Sequence, residues 1–182
     1  MDALATLVRQ GKALYVGISN YHAADARRAF EILEGMGVHC LIHQPSYSMF
    51  NRWIEEDGQL DVLEEKGVGA ICFSPLAQGL LTSRYFDGIP ADSRAGGPSQ
   101  FLKPEGVTPE KVAKAKKLNE IAASRGQSLS QMALCWCLRQ KQVCSLIIGA
   151  SRLSQIKENV GAAAHLDFTA EELAAIEEIL QA

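Results

Sequence analysis

Residues 145–160 read SLIIGASRLSQIKENV, and the rest of the chain is organised around them. The apolar run 145–148 predicts a buried strand, Gly149-Ala150-Ser151 a tight turn, and the residues after it a helix. That helix would carry Arg152, Gln155, Glu158 and Asn159 within its first two turns. A helix N-terminus presents N–H groups without intrahelical partners and the positive end of a dipole, both of which suit a phosphate. Side chains three, four and seven apart share one helix face. Ser151 and Arg152 would therefore meet a phosphate at the turn, while Glu158 and Asn159 reach a hydrogen-bonding group beyond it. The same spacing describes an ordinary strand-turn-helix with a solvated charged face, and spacing alone leaves both readings open.

The pattern of strand, polar cluster and helix recurs upstream. An amphipathic helix over 2–10 is followed by a strand over 13–18 that ends in Gly17-Ile18-Ser19-Asn20-Tyr21. After a helix over 23–35, a second strand over 39–43 ends in Gln44-Pro45-Ser46-Tyr47. A helix over 60–66 leads to a third strand over 69–73, which ends in Ser74-Pro75-Leu76-Ala77-Gln78-Gly79. Short continuous apolar runs alternating with helices predict a parallel sheet covered by helices. In such folds ligands bind at the carboxyl ends of the strands, where these clusters fall.

Residues 85–107 form the one long irregular region, with Pro90, Pro98, Pro104 and the Gly96-Gly97 pair. Loops of this length often act as lids, and a mobile loop is the expectation here. Downstream, Thr108-Pro109 supplies a cap and an N1 proline for a helix to about residue 125, where Gly126 stops it. Ser128-Leu129-Ser130-Gln131 and Thr169-Ala170-Glu171-Glu172 are capping boxes, opening a helix to Leu138 and a terminal helix.

Composition narrows the function classes. The chain has 182 residues, 47% hydrophobic and 21% charged, with net charge −3, which suits a single soluble domain over 1–182. Without basic runs, a general nucleic-acid or membrane-surface binder is disfavoured, so any phosphate site depends on local placement. No apolar run is long enough to span a bilayer, and MDALATLVRQGK lacks the pattern of a signal peptide. Cys40, Cys72, Cys135, Cys137 and Cys144 are odd in number and read as reduced, buried small hydrophobes in a cytoplasmic protein. Cys135 and Cys137 point apart on a helix, and no histidine or second pair completes a zinc site. No G-x-G-x-x-G, G-x-S-x-G or P-loop follows any strand.

Four ordered motifs carry a resemblance: GKALYVGISNY at 11–21, HQPSYSMFNR at 43–52, FSPLAQGLLTSRY at 73–85 with GIPADSR at 88–94, and the opening stretch. Over essentially its whole length the chain resembles the aldo-keto reductases, in the branch containing potassium-channel beta subunits and glyceraldehyde-3-phosphate reductases. The resemblance implies an α/β (β/α)8 TIM barrel that binds NADP(H) in extended form and transfers a hydride to an aldehyde or ketone. It implies that Ser19, Asn20 and Gln44 hold the nicotinamide carboxamide and that Phe73 packs on the nicotinamide ring. Ser74, Leu76 and Gln78 match the segment along ribose and pyrophosphate. Arg84 stands where many relatives have lysine near the pyrophosphate, and Arg94 matches a basic loop residue. Gly149, Ser151, Arg152 and Gln155 match the 2′-phosphate and adenosine end, with Glu158 and Asn159 at the adenine.

The family's catalytic Asp, Tyr, Lys and His lie on the first four βα units, and none of the four has a match here. Tyr15, Tyr21, Tyr47 and Tyr85 are not the tetrad tyrosine, and His43 reads as a rim or packing residue. The expectation is therefore a fragment: the C-terminal half of the barrel, four parallel strands with covering helices, holding most of the cofactor site and no catalytic residue. Alone it would be inactive or nearly so, and its partners would be a separate N-terminal half or a second copy. The small aldehyde or ketone substrate belongs to the complete protein. The alternative is an NADP(H)-binding regulatory or interaction module without turnover.

Overall fold

A computed structural model describes residues 1–182. Contacts divide them into one compact unit of Met1–Tyr47, Asn51–Phe73 and Gln140–Ile147, and a second of Ser48–Phe50, Ser74–Arg139 and Ile148–Ala182.

The first unit is an α/β layer. Its elements are α1 (Asp2–Arg9), β1 (Val16–Ser19), α2 (Ala23–Gly35), β2 (Cys40–Gln44), α3 (Trp53–Glu56), α4 (Gln59–Lys66), β3 (Gly69–Phe73) and β4 (Val143–Ile147). The strands form one sheet in the order β1-β2-β3-β4, and every pair is parallel. This arrangement is consistent with part of a (β/α)8 barrel. Val16, Ile18, Cys40, His43, Ala70, Cys72 and Val143 are buried and share one face by register. Helix α2 packs on β2 and α4 on β3, burying Ala26, Phe30, Leu33, Val62 and Leu63. The other face carries Gly17, Ser19, Ile42, Gln44, Ile71, Phe73, Ser145 and Ile147, none of them fully buried.

Three expectations change here. Strand β1 starts at Val16 rather than residue 13, and Leu14 and Tyr15 before it are 83% and 68% exposed. Strand β4 is not buried: it is an edge strand with β3 as its only neighbour, and only Val143 is fully covered. Cys144 is exposed while the other four cysteines are buried. Both Cys144 and Leu41 are the unpaired extra residue at a register shift, Ala70/Ile71 against Val143/Ser145 and Val16/Gly17 against Cys40/Ile42. A bulge turns one side chain out of the alternation, and both residues stand exposed.

The second unit is helical: α5 (Pro109–Ser124), α6 (Leu129–Leu138), α7 (Leu153–Gly161) and α8 (Ala170–Gln181). Local chemistry starts each of three helices. Thr108 accepts from the Lys111 N–H ahead of the N1 proline, and Ser128 and Thr169 both form reciprocal capping boxes. Helix α6 is buried on all sides, through Leu129, Met132, Ala133, Leu134, Cys135, Trp136 and Cys137, as a central helix must be. Helices α5 and α7 pack against it, and α8 packs on α5. Arg125 clasps the first turn of α8 and the segment before it: it pairs with Glu172, donates to the Asp167 carbonyl at 2.8 Å and lies 3.9 Å over Phe168.

Residues 85–107 are mostly irregular but not unanchored. Tyr85, Ala95 and Leu102 are buried with Leu80, and Phe50, Ala77, Val107 and Val112 pack around them. No helix of the chain is long and apolar enough to cross a membrane.

Candidate cofactor site

In the first unit the strand ends are tied to one another. The Ser19 hydroxyl at the end of β1 donates to the Gln44 carbonyl at 2.8 Å. Asn20 takes a left-handed backbone, φ 56°, a conformation asparagine tolerates better than most residues. Its N–H donates to the Gln44 carbonyl at 3.3 Å, and its Oδ1 accepts from the Ser46 N–H at 3.2 Å. Phe73 is held by its backbone on both sides, donating to the Pro45 carbonyl at 3.0 Å and accepting from the Tyr47 N–H at 3.2 Å. The half-buried Phe73 and Gln44 side chains share the less covered sheet face with Ser19. A hydroxyl oxygen, an amide and an aromatic ring side by side suit a flat heteroaromatic ring bearing a carboxamide.

In the second unit two arginines gather on a carboxylate and a third on a side-chain amide. The loop after β3 is conformationally unusual, with φ 57° at Ser74, 48° at Ala77 and 61° at Gln78. Gln78 Nε2 donates to the Ser74 hydroxyl at 2.7 Å, while its Oε1 accepts from Arg94. Leu76 between them accepts from the Gly79 N–H at 2.9 Å, closing the turn. Arg84 pairs with Asp92 at 2.8 Å and also donates to the Asp92 carbonyl at 3.0 Å. Arg152 reaches the other carboxylate oxygen at 3.4 Å. The hydrogen bond and charge of Arg84, with a smaller contribution from Arg152, hold the Asp92 carboxyl below the usual range. Arg94 also approaches the Gly149 backbone, where an added Cβ would lie 3.5 Å from its Nη2.

The start of α7 is satisfied from within. Gln155 Oε1 accepts from the N–H groups of Ser151 at 2.8 Å and Arg152 at 3.1 Å, and from the Ser151 hydroxyl at 3.3 Å. One turn on, Glu158 Oε1 accepts from the Ser130 hydroxyl at 2.7 Å, and Asn159 is buried. The side chains expected at the adenine end are therefore already engaged with α6 or enclosed.

Asp92, inside the GIPADSR motif but not among the residues expected at the site, organises two of the three arginines. An acid lying between Arg84 and Arg94 in sequence was the available signal. His43, read as a rim or packing residue, is fully buried; burial pushes it down to about 4, against weaker opposition from the Tyr21 backbone and Asp57. Tyr47 is buried and donates to Glu55, and the buried Tyr85 hydroxyl accepts from the Ala95 N–H at 3.4 Å.

The chain is 48% identical over 180 residues to L-glyceraldehyde 3-phosphate reductase of Escherichia coli (strain K12), covering 97% of this chain and 52% of that protein. It is 36% identical over 185 residues to a putative voltage-gated potassium channel subunit beta of Schizosaccharomyces pombe, covering 98% of this chain and 53% of that one. The chain thus spans about half the length of the curated relatives it matches. The model of the aldo/keto reductase family matches residues 1–181, and the chain belongs to that family.

Proposed function

We propose that this chain holds the coenzyme of an NADP(H)-dependent carbonyl reductase. The observation that carries the reading is the gathering of Arg84, Arg94 and Arg152 around Asp92 and Gln78, next to the start of α7. Three guanidiniums with one carboxylate among them, two paired with Asp92 and the third bonded to Gln78, leave positive charge to spare, and guanidiniums recognise phosphate through paired hydrogen bonds. Gly149, Ser151 and Gln155 belong to the same end, with Glu158 and Asn159 along α7. Ser74, Leu76 and Gln78 take the ribose and pyrophosphate, and Ser19, Asn20, Gln44 and Phe73 the nicotinamide. Charge at Arg152 favours the 2′-phosphate of NADP(H) over NAD(H).

When bound, the nicotinamide supplies the hydride that reduces a small aldehyde or ketone in the complete protein. A three-carbon phosphorylated aldehyde is the first substrate to try, given the reductase to which the chain is 48% identical. This chain's own residues bind and orient; proton donation is assigned to residues outside it. Its place of action is the cytoplasm, where buried unpaired thiols stay reduced. Fluorescence titration with NADPH and NADH tests the reading: tight, salt-sensitive binding of NADPH and weak binding of NADH is expected. Equal or absent binding of both would refute it.

A second reading is a module that binds NADP(H) without turnover. It is favoured by the engagement of the two buried tyrosines, Tyr47 with Glu55 and Tyr85 with the Ala95 backbone. NADPH binding with no oxidation of it by L-glyceraldehyde 3-phosphate, even in a full-length context, would select this reading.

A further inference from the structure

The N-terminal turn of α6 grips the second turn of α7 at one residue, Glu158. The Ser130 hydroxyl donates to Glu158 Oε1 at 2.7 Å, and Gln131 Nε2 donates to the Glu158 carbonyl at 2.9 Å. Gln131 serves two helices, since its Oε1 also accepts from the Ser128 N–H at 3.0 Å in the capping box of α6. Gly161 leaves room for this amide: a Cβ there would come within 2.8 Å of Gln131 Nε2. The Glu158 carbonyl is available because the Ala162 N–H, four residues on, bonds to the Asn159 and Val160 carbonyls instead. Side chain and backbone of Glu158 are therefore fixed from the same helix end. The residue is nevertheless exposed, and of its two carboxylate oxygens only Oε1 is engaged.

Ser130 is not needed to start α6. Ser128 and Gln131 already form the reciprocal cap, so a buried hydroxyl between them, 5% exposed, answers to something else. It lies 2.9 Å from the Ser128 hydroxyl as well as on Glu158. A hydroxyl has one proton and an ionised carboxylate has none to give, so Ser130 donates to Glu158 and Ser128 donates to Ser130. We propose that Ser130 is a positioning residue that sets base specificity: by holding Oε1 it commits Oε2 of Glu158 to a ligand group that donates, the exocyclic amine of a 6-aminopurine. This role rests on the coenzyme reading above, which puts Glu158 at the adenine end. A 6-oxopurine presents a carbonyl oxygen at the same place, and a carboxylate repels it. A freely turning carboxylate would swing away from that oxygen into water at little cost. One held by Ser130, on a backbone held by Gln131, moves only by breaking a hydrogen bond. Discrimination then comes from the penalty against the wrong base as much as from attraction to the right one.

Fluorescence titration with NADPH and with reduced nicotinamide hypoxanthine dinucleotide phosphate tests this, because the two share their fluorophore and phosphates and differ only at the purine 6-position. The parent chain should bind the amino form about tenfold tighter, the scale of one charge-assisted hydrogen bond. Ser130→Ala puts the best helix former at this position and should leave far-UV circular dichroism unchanged. It should cut the preference to about twofold, with much of the change in tighter binding of the oxo form. Ser130→Thr keeps the hydroxyl and should restore the preference. Glu158→Gln, whose amide donates as well as accepts, should level the two forms. If Ser130→Ala weakens both forms in equal proportion, Ser130 is merely structural and the proposed role is overturned. A levelled Glu158→Gln beside an unchanged ratio in Ser130→Ala overturns it too. A parent that binds both forms tightly and equally overturns the role of Ser130 alone, whereas a parent that binds neither overturns the coenzyme reading with it.

Discussion

Arg152 donates to the Asp92 carboxylate at 3.4 Å across 60 residues of sequence. Asp92 in turn holds Arg84 at 2.8 Å, so one exposed acid gathers two cations that an anionic ligand would also seek. Exposed ion pairs contribute little to stability, which leaves ligand binding as the place to look for a consequence.

Replacing Arg152 by alanine should weaken NADPH binding about tenfold, the scale of one charge-assisted hydrogen bond, and leave NADH nearly unchanged. Asp92→Asn should act in the opposite direction, because it removes a competing anion: NADPH should bind several-fold tighter at low salt, with the gain fading as salt rises. Fluorescence titrations at two ionic strengths check both. Equal effects of Arg152→Ala on the two coenzymes would argue against its place at the 2′-phosphate.

His43 makes stability depend on pH. Its folded-state value is lowered from 6.5 to about 4, mainly by burial, so the unfolded chain binds the proton more readily. Stability is therefore fully present above about pH 6.5 and is lost as pH falls toward about 4. Between pH 7 and pH 5 the loss from this group should be about 2 kcal/mol. Urea unfolding of the parent and of His43→Leu at both values measures it; the variant should show a shallower dependence on pH. Parallel slopes would mean that another group dominates.

Arg125 is a structural cation whose side chain is 1% exposed. Arg125→Ala would leave Glu172 and the Asp167 carbonyl without this donor and remove the stacking on Phe168. A cost of about 3–5 kcal/mol is expected, the usual result of breaking one side of a buried pair. Lysine should not rescue it, since a point charge cannot serve three directions with a planar fork. Chemical denaturation of the two variants decides the matter.

The thiols should divide four to one. Cys144 is exposed, whereas Cys40, Cys72, Cys135 and Cys137 are buried. Burial pushes the Cys72 thiol up to about 12 and raises Cys40 and Cys135 as well, so these stay protonated near neutral pH. Brief maleimide treatment of the native chain, read by mass spectrometry, should add one label, and the remaining four only after unfolding. A second fast label would place another cysteine at the surface.

Much of this architecture is legible in the chain itself, because the relevant chemistry is local. Thr108-Pro109, Ser128 with Gln131, and Thr169 with Glu172 satisfy helix N-termini within four residues, so these starts follow from composition at fixed offsets. Apolar runs separated by helices were sufficient for parallel strands. Helix α3 was missed because Trp53–Glu56 is one turn long, too short for a period to register.

What only the tertiary structure decided are relationships between distant residues. Local pattern marked 145–148 as a buried strand; the strand order leaves β4 at an edge with most of it uncovered. Cys144 reads in the sequence as another buried thiol; the register shift against β3 turns it outward. The stretch 145–160 offered a helix N-terminus for a phosphate, and the fold shows that Gln155 caps it and that Arg152 leans toward Asp92. Caps, turns and periodicity are energies between neighbours in sequence and can be read there. Burial, strand edges and ion pairs are energies between segments that the folded chain alone brings together.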